Sequence, residues 1–375
     1  MKIVVAPDKF KGTASAKAVA RAIADGIKEV LPEAEIVLVP MADGGEGTMD
    51  ALLAAVGGRI HEAVVTGPLG KPAKAPFGIL ADGTAVIEMA KASGFELVPA
   101  ERRDPTVTTT YGTGELIEAA LDFECRRFII GIGGSATCDA GIGAAQALGV
   151  KILKEDGSGV GFGGGELVTI ARIDVSTIDP RVRDAQVLVA GDVKNPLYGP
   201  YGAAHVFAPQ KGASPEQVFL LEQGLIHFAD VVHRDLGVDV SELSGGGAAG
   251  GLGAGLVAFL HATIRPGVEL VMEAVGLRDK VRGADLVITG EGQVDAQSVY
   301  GKVPGGVAGL ACEYGVKTIV IAGKLGDGYE QLYDSGISEM YALETIAGSL
   351  DAAINRPIPS IKEAASRIAT KLRAW

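Results

Sequence analysis

The sequence has few aromatic residues and no excess of positive charge. Aromatic side chains make up 5% of the 375 residues, and the net charge is -12. Proteins that bind nucleic acids need a basic surface and rings that stack on bases, and anionic membranes also attract basic segments. We therefore expect neither a nucleic acid nor a membrane as a partner.

Cysteine and histidine are scarce as well. The three cysteines show no CxxC spacing and are too few for a disulfide framework, and the five histidines lack the pairing typical of zinc ligands. Asp8 and Lys9 interrupt the first apolar run, which argues against a signal peptide. The uncharged stretch 248–264 is short for a membrane span and rich in glycine, so it predicts a buried helix. These absences favour a cytoplasmic protein.

Hydrophobic residues and glycine are abundant. Hydrophobic residues make up 47% of the chain, and its 54 glycines cluster in short motifs. A chain of 375 residues exceeds what one hydrophobic core usually supports, so we expect two domains. Apolar runs at 2–6 and 36–39 predict buried strands, and helical periodicity follows each of them, at 19–31 and 49–56.

The same alternation returns near the C-terminus. It predicts strands at 286–289, 318–322 and 340–343, and helices at 305–313 and 361–372. The intervening residues carry shorter strand candidates, at 63–66, 85–89, 128–131 and 186–190. We therefore predict an α/β protein with two domains. Residues 1–60 and 266–375 would form a Rossmann or flavodoxin-like parallel-sheet domain, interrupted by a second α/β domain at 61–265.

Acids, lysines and glycines follow four of the five predicted strands of the first domain, where α/β proteins bind ligands. Any one of them could simply cap a helix or lie in a solvated loop. Four strands that end this way together indicate a site for Mg²⁺ and a nucleotide, because glycines admit phosphates, lysines neutralise them and carboxylates bind Mg²⁺. In strand order, these residues are Asp8, Lys9 and Lys11; Asp43, Gly44, Gly45 and Glu46; Gly290, Glu291, Gly292, Asp295 and Lys302; and Lys324.

The second domain adds glycine-rich segments and one acid. The segment 128–141, which contains Gly133, Gly134 and Ser135, would run from a strand into a helix. Its GxGxxA spacing fits a loosened dinucleotide fingerprint, and an anion-binding nest at a helix N-terminus explains it as well. The glycines of 245–255 favour close packing over ligand binding. Asp192 would lie at the end of the strand 186–190.

Several common catalytic patterns are missing. Lys302 follows a glycine, yet Ala296 and Val303 replace the glycine and the hydroxyl residue that a Walker phosphate loop requires. The sequence has no GxSxG motif for an acyl enzyme. Since no histidine is placed to act as a base, a carboxylate would have to activate a substrate hydroxyl.

The motifs together resemble those of the bacterial-type (type-1) glycerate kinases, and they span residues 6–308. This resemblance implies ATP-dependent phosphorylation of D-glycerate, in most bacterial members to 2-phosphoglycerate, with Mg²⁺ as the expected metal. It also implies a two-domain α/β fold with the substrate cleft between the domains. The motifs that carry it are APDKFKGTASA, MADGGEGT, GIGGSATCDAG, GDVKNPLYGPYGAAHVFAPQKGA, GGGAAGGLGAG and DLVITGEGQVDAQSVYGKVPGGVA.

The resemblance suggests roles, because phosphoryl transfer requires an aligned hydroxyl and neutralised phosphate charge. We hypothesise that Asp192 is the base, with Asp43 and Asp295 as its competitors. Lys11 and Lys302 would contact the transferring phosphate, and Lys211 an anionic group. The metal ligands would be Asp43, Glu291 and Asp295. Substrate or nucleotide contacts would come from Asp8, Gly44, Gly45, Gly133, Gly134, Ser135, Gly290, Gly292 and Lys324.

Three alternatives remain open at this point. A glycerate 3-kinase would use the same site and give 3-phosphoglycerate. A nicotinamide-dependent hydroxy-acid dehydrogenase would use the GxGxxA segment for its cofactor. A non-catalytic protein that binds small acids would not need acids and lysines at four strand ends. Either a monomer or a homodimer is compatible with the sequence.

Overall fold

A computed structural model of the protein describes residues 1–299 and 301–373. Its strands are β1 (Lys2–Val5), β2 (Glu35–Leu38), β3 (Gly58–Thr66), β4 (Pro72–Leu80), β5 (Thr84–Glu88), β6 (Arg127–Gly131), β7 (Lys151–Leu153), β8 (Arg172–Asp174), β9 (Gln186–Ala190), β10 (Thr263–Arg265), β11 (Leu286–Val294), β12 (Lys317–Leu325) and β13 (Ile337–Ala342). Its α-helices are α1 (Ala16–Val30), α2 (Thr48–Val56), α3 (Ala90–Ser93), α4 (Tyr111–Asp122), α5 (Ile142–Ala147), α6 (Ala203–Phe207), α7 (Pro215–Leu236), α8 (Leu252–Leu260), α9 (Gly267–Ala274), α10 (Leu277–Val281), α11 (Val303–Glu313), α12 (Leu343–Ile346), α13 (Leu350–Asn355) and α14 (Pro357–Arg373).

The predicted α/β class is confirmed, since helices alternate with largely parallel strands. The chain divides into two compact units. Unit 1 contains Met1–Asp43, Asp50–Gly57 and the chain from Pro266 onward, and unit 2 contains Gly44–Met49 and Gly58–Arg265. The prediction had placed residues 44–49 with the first domain, whereas their contacts group them with unit 2.

Unit 1 is built on a parallel sheet in the order β13-β12-β11-β1-β2. Its central strands are continuous apolar runs because both faces of the sheet are covered. Ile3, Ile288 and Ile321 are buried in one core with residues of α1 and α14. Because the strands are parallel, their carboxyl ends lie along a single edge, which carries the polar residues of the sequence motifs.

β11 and β12 are longer than predicted. Their pairing continues to Glu291 opposite Ala322 and Gln293 opposite Lys324. Glycine permits this extended pairing, because a Cβ at Gly290 would lie 2.3 Å from the carbonyl oxygen of Ile321. The prediction that Glu291 and Lys324 follow the ends of their strands is therefore wrong. Both residues lie within the paired parts of β11 and β12, close to the carboxyl ends of these strands.

Helices α1 and α14 cover one face of unit 1 and pack unusually closely. A Cβ at Gly26 would lie 2.3 Å from the carbonyl oxygen of Lys362, so only glycine fits at this crossing. The hydroxyl of Ser366 donates a hydrogen bond to the Gly26 carbonyl over 3.0 Å. The contact fixes the C-terminal helix against the first helix of the chain.

Unit 2 contains a mixed sheet in the order β10-β9-β6-β5-β4-β3. β10, β9, β6 and β5 run parallel, and β4 and β3 extend the sheet as antiparallel strands. The predicted buried helix within 248–264 is confirmed over Leu252–Leu260. Among the described residues, no helix combines the length and the apolar character that a membrane span requires.

Candidate active site

The loop after β1 lies directly on β11 in unit 1. The backbone N–H of Asp8 donates to the carbonyl oxygen of Gly290 over 2.8 Å. A Cβ at Gly292 would come within 3.3 Å of the Lys11 backbone nitrogen. The two glycines that flank Glu291 therefore allow the Asp8–Lys11 loop to approach this carboxylate.

Asp8 is a buried acid next to other acids. Burial, together with the nearby carboxylates of Asp43 and Glu291, raises the pKa of Asp8 to about 8. The backbone N–H of Lys9, which donates to Asp8 Oδ1 over 2.6 Å, acts in the opposite direction. A group that strongly resists ionisation, at the end of a parallel strand, is typical of a functional site.

Glu291 and Lys302 form an ion pair at the same edge. Lys302 Nζ lies 3.3 Å from Glu291 Oε1, while Glu291 Oε2 is buried and has no hydrogen-bond partner within residues 1–299 and 301–373. Burial, with smaller contributions from Asp43 and Asp295, raises the pKa of Glu291 to about 7, although Lys302 acts in the opposite direction. The structure thus brings together the predicted residues Asp8, Asp43, Glu291, Asp295 and Lys302.

This arrangement fits a cation that is completed by substrate oxygens. The described part of the chain contains no group of three or more His, Cys, Asp or Glu residues with the spacing to hold a metal by themselves. Mg²⁺ usually takes one or two protein carboxylates, with phosphates and waters as its other ligands. The unpaired Glu291 Oε2 and its acidic neighbours are compatible with that kind of site.

Positive groups stand close to these acids. Lys302 is the residue that caps the N-terminus of α11, and Pro304 lies in the first turn. The amides at a helix N-terminus favour an anion, so Lys302 and the helix act in the same direction. Lys11 is exposed after β1, and Lys324 lies on β12 opposite Gln293. The edge therefore carries positive groups suited to phosphate beside acids suited to a cation.

The glycine-rich segment of unit 2 does not open a helix. β6 ends at Gly131, and α5 begins only at Ile142. A dinucleotide fingerprint requires the helix to start within the glycine motif, so that its amides face the pyrophosphate. The segment 128–141 runs from β6 to the start of α5, as predicted, but the helix does not begin within the glycine motif. Residues 132–141 form a loop.

Backbone hydrogen bonds hold this loop in place. Phe95 N donates to the Gly134 carbonyl and Ala136 N to the Ser93 carbonyl, both over 3.0 Å. Gly134 has a φ of +75°, a conformation that favours glycine. Gly133 and Gly134 are exposed at the tip of the loop, and Ser135 is almost completely buried behind them.

Asp139 has a structural role in the loop. Its carboxylate accepts hydrogen bonds from the Thr110 N–H over 2.8 Å and the Gly141 N–H over 3.2 Å. Thr110 precedes α4 and Gly141 precedes α5, so Asp139 joins the starts of two helices. Asp139 is fully buried, and its hydrogen bonds account for its presence without a catalytic role.

The segment 245–255 packs against the same loop. A Cβ at Gly250 would lie 2.1 Å from the Thr137 carbonyl oxygen, and one at Gly255 would lie 2.2 Å from the Ala140 carbonyl oxygen. These glycines are explained by close backbone packing, as the sequence favoured. They support the loop from behind.

Lys211 reaches the loop from the short 3₁₀ helix Pro209–Lys211. It is 2% exposed, and its Nζ donates to Ser135 Oγ over 2.8 Å and to the Thr137 carbonyl over 2.7 Å. Burial lowers the pKa of Lys211 to about 8. The structure therefore joins two residues that the sequence had assigned to ligand binding from separate motifs.

The Gly44-Gly45 turn lies on the strand that precedes the loop. A Cβ at Gly131 would meet the Gly44 carbonyl oxygen at 2.4 Å, and one at Gly133 would lie 3.4 Å from Gly45 Cα. Glu88 Oε1 accepts a hydrogen bond from the Met49 N–H over 2.9 Å and so holds the same turn. Sequence reasoning missed Glu88, although an acid at the end of an apolar strand was the available signal.

Asp192 is exposed just beyond β9. β9 pairs with β6 so that Ala190 lies opposite Gly131. Asp192 and the loop 132–141 therefore leave neighbouring parallel strands at the same edge of the sheet of unit 2. The predicted residues Gly44, Gly45, Gly133, Gly134, Ser135, Asp192 and Lys211 all lie in this unit.

Comparison with known families decides the identity of this arrangement. The model of the glycerate kinase family matches residues 3–373. The chain belongs to the glycerate kinase family. The resemblance read from the sequence motifs is confirmed.

Curated relatives and a solved structure agree with this membership. A protein named glycerate kinase from Halalkalibacterium halodurans is 50% identical over 374 residues, which cover 100% of this chain and 98% of the relative. A protein named glycerate 2-kinase from Escherichia coli strain K12 is 50% identical over 373 residues, which cover 99% and 98% of the two chains. A crystal structure described as a glycerate kinase 2 from Salmonella typhimurium LT2 has 46% identity and a TM-score of 0.90, with 100% and 98% coverage.

This glycerate kinase family chain also has a positively charged side chain, Arg103, near the loop 132–141, which the sequence motifs had not indicated. The guanidinium of Arg103 lies 4.8 Å above the ring of Phe95. A Cβ at Gly212 would lie 2.2 Å from the Arg103 carbonyl oxygen, so the Arg103 backbone runs beside the residue that follows Lys211. Only the fold brings Arg103 to this place, because it is distant from Ser135 and Lys211 in sequence.

Proposed function

We propose that this protein transfers the γ-phosphate of ATP to the carbon-2 hydroxyl of D-glycerate and forms 2-phosphoglycerate and ADP. The observation that carries the proposal is the cluster of acids around the Lys302–Glu291 pair at the carboxyl edge of unit 1. The name of the Escherichia coli relative, glycerate 2-kinase, supports the position of transfer.

In the proposed reaction, the carbon-2 hydroxyl oxygen forms a bond to the γ-phosphorus. The bond between this phosphorus and the bridging oxygen breaks, and ADP leaves with that electron pair. The hydroxyl proton passes to the carboxylate of Asp192. Positioning and charge neutralisation account for most catalysis of this type, so Lys11 and Lys302 would neutralise the transferring phosphate.

Asp43, Glu291 and Asp295 are the candidates to hold Mg²⁺, and one or two of them would contact the cation while phosphates and waters complete its ligands. The bound cation would neutralise charge on the β- and γ-phosphate oxygens. Asp8 lies among these acids and would help to set the charge of the site. Backbone amides and lysine would complete the nucleotide contacts, from Gly44, Gly45, Gly290, Gly292 and Lys324.

Other functions have weaker support. The relative named as a 2-kinase does not favour transfer to carbon 3. The loop 132–141 lacks the helix that a nicotinamide site of the fingerprint type needs, so a dehydrogenase is not favoured. A non-catalytic acid-binding protein does not explain the lysine–carboxylate cluster. A cytoplasmic location and a monomeric or dimeric state stay predictions.

The test is ADP release from Mg-ATP with and without D-glycerate. The proposal predicts ADP formation that depends on glycerate and saturates with it. L-glycerate and glycerol serve as controls for recognition of the acid. ADP formation that does not respond to D-glycerate would contradict the proposed function.

A further inference from the structure

Among the residues that the structure describes, no carboxylate forms an ion pair with the buried ammonium group of Lys211. Within the described residues it forms hydrogen bonds to Ser135 Oγ and the Thr137 carbonyl and no ion pair. Asp139 is near enough to favour the charged lysine, but its oxygens accept hydrogen bonds from Thr110 and Gly141. A buried charge without a counter-ion is destabilising, so a protein that retains one commonly uses it for a ligand.

The Lys211 contact determines what Ser135 can do. Ser135 Oγ accepts the hydrogen bond from Lys211, so its own proton remains available. No acceptor for that proton is present in residues 1–299 and 301–373. A hydroxyl that accepts from an ammonium becomes a stronger donor, because hydrogen bonds in a chain polarise one another. Ser135 follows the exposed Gly133-Gly134 tip, where a ligand can approach it.

A second positive group lies near the same loop. Arg103 is exposed, and its guanidinium rests over Phe95, whose backbone N–H donates to the Gly134 carbonyl. Arg103 therefore places a second cation beside the loop that carries Ser135. A small anion fits this distribution.

We propose that the Ser135 hydroxyl donates a hydrogen bond to the carboxylate of the hydroxy-acid substrate, and that Lys211 is a positioning residue that acts through Ser135. The inference rests on the proposed function, since it names how the same substrate is held. One buried positive charge matches a monoanion, whereas the lysines of unit 1, Lys11, Lys302 and Lys324, match the higher charge of a triphosphate.

The experiment compares D-glycerate with D-glyceramide, in which a neutral amide replaces the carboxylate. We expect the wild-type protein to prefer D-glycerate in kcat/KM. A charge-assisted hydrogen bond contributes enough for Ser135→Ala to lower kcat/KM for D-glycerate by about 10- to 100-fold, with little change for D-glyceramide. The KM for ATP should not change.

The pair is tested with Lys211→Met and the double variant. If Lys211 acts through Ser135, its replacement adds little once the hydroxyl is gone, so the two effects are not additive. Ser135→Thr retains a hydroxyl and should retain the preference for D-glycerate. Should Lys211→Met fail to fold, the Ser135→Ala and Ser135→Thr comparison still decides the proposal.

The matched control is Ser93→Ala. The Ser93 hydroxyl is also buried in unit 2, and it is paired with Thr113 Oγ1 at 2.9 Å. We expect this variant to lose some stability and to keep the preference for D-glycerate. Equal losses for both substrates in Ser135→Ala, or a raised KM for ATP in place of glycerate, would overturn the inference. A wild-type protein without glycerate-dependent ADP formation would instead overturn the proposed function.

Discussion

Lys302 Nζ and Glu291 Oε1 lie 3.3 Å apart where β11 and the N-terminus of α11 meet the carboxyl edge of the unit 1 sheet. The other oxygen of Glu291 is buried, and no partner for it occurs among the described residues. The pair therefore combines a lysine suited to phosphate with a carboxylate suited to a cation.

Lys302→Met should lower kcat by about 100-fold or more, because removal of one preorganised charge partner of the reacting group costs that much in comparable sites. Steady-state kinetics with Mg-ATP and D-glycerate measure it. Lys74→Met is the matched control, since Lys74 forms an ion pair with Glu62 at 3.2 Å on the surface of unit 2. Equal kinetics of the two variants would exclude Lys302 from the reaction.

Asp8→Asn should stabilise the metal-free protein at alkaline pH. The pKa of Asp8 is raised from 3.8 to about 8, so the folded protein retains a proton that the unfolded chain has released. The stability that this proton contributes is present below about pH 4 and is lost as the pH rises to about 8. The asparagine variant has no ionisable group at this position, so its stability does not show this decrease with pH.

Thermal unfolding in the presence of a chelator, from pH 5 to pH 9, measures the effect of Asp8→Asn. The melting temperature of the variant should exceed that of the wild type at pH 9 by several degrees, and the gap should narrow at pH 5. Asp184→Asn, at an exposed position, serves as the control. A variant that is less stable than the wild type at pH 9 would contradict the raised pKa of Asp8.

Asp192→Asn should lower kcat by about 100- to 10,000-fold with an unchanged circular dichroism spectrum, because general-base catalysis contributes on this scale. Asp192 is exposed beyond β9, so its replacement should not disturb the core. Asp184→Asn again provides the matched exposed aspartate. Near-normal turnover of Asp192→Asn would move the base to Asp43 or Asp295.

Gly290→Ala should destabilise the protein by about 1–3 kcal/mol, because its Cβ would lie 2.3 Å from the Ile321 carbonyl oxygen. Gly309→Ala provides the opposite case within α11, where a Cβ meets nothing within 4 Å. An alanine in a helix interior is favoured over glycine by about 0.5–1 kcal/mol, so this variant should be more stable. Denaturant unfolding of both variants checks the pair, and equal effects would contradict the close pairing of β11 and β12.

The sequence predicted the elements whose signals are local. The apolar runs at β1, β2, β11 and β12 and the periodicity of α1 indicated a parallel sheet, because buried parallel strands need continuous hydrophobic residues. β4 was not predicted, since Pro72 and Pro76 weaken a strand signal that the pairing with β3 overrides. The predicted ends of β11 and β12 came too early, because the glycines that suggested a loop instead allow the two strands to pair closely.

The sequence also indicated which residue types would gather at the carboxyl edges, but it could not supply their partners. Nothing in the separate motifs shows that Lys302 pairs with Glu291, or that Lys211 pairs with Ser135 across 76 positions of the chain. Glu88 and Arg103 belong to no motif, and they acquire a role only through Met49 and Phe95. Such contacts depend on the complete fold.

The most direct test of the account is the identity of the product formed from Mg-ATP and D-glycerate, followed by phosphorus and proton NMR. We predict a phosphate on carbon 2, whose phosphorus couples to the single proton on that carbon. A phosphate coupled to the two protons of carbon 3, or an unchanged D-glycerate signal, would contradict the assignment of this chain as a glycerate 2-kinase.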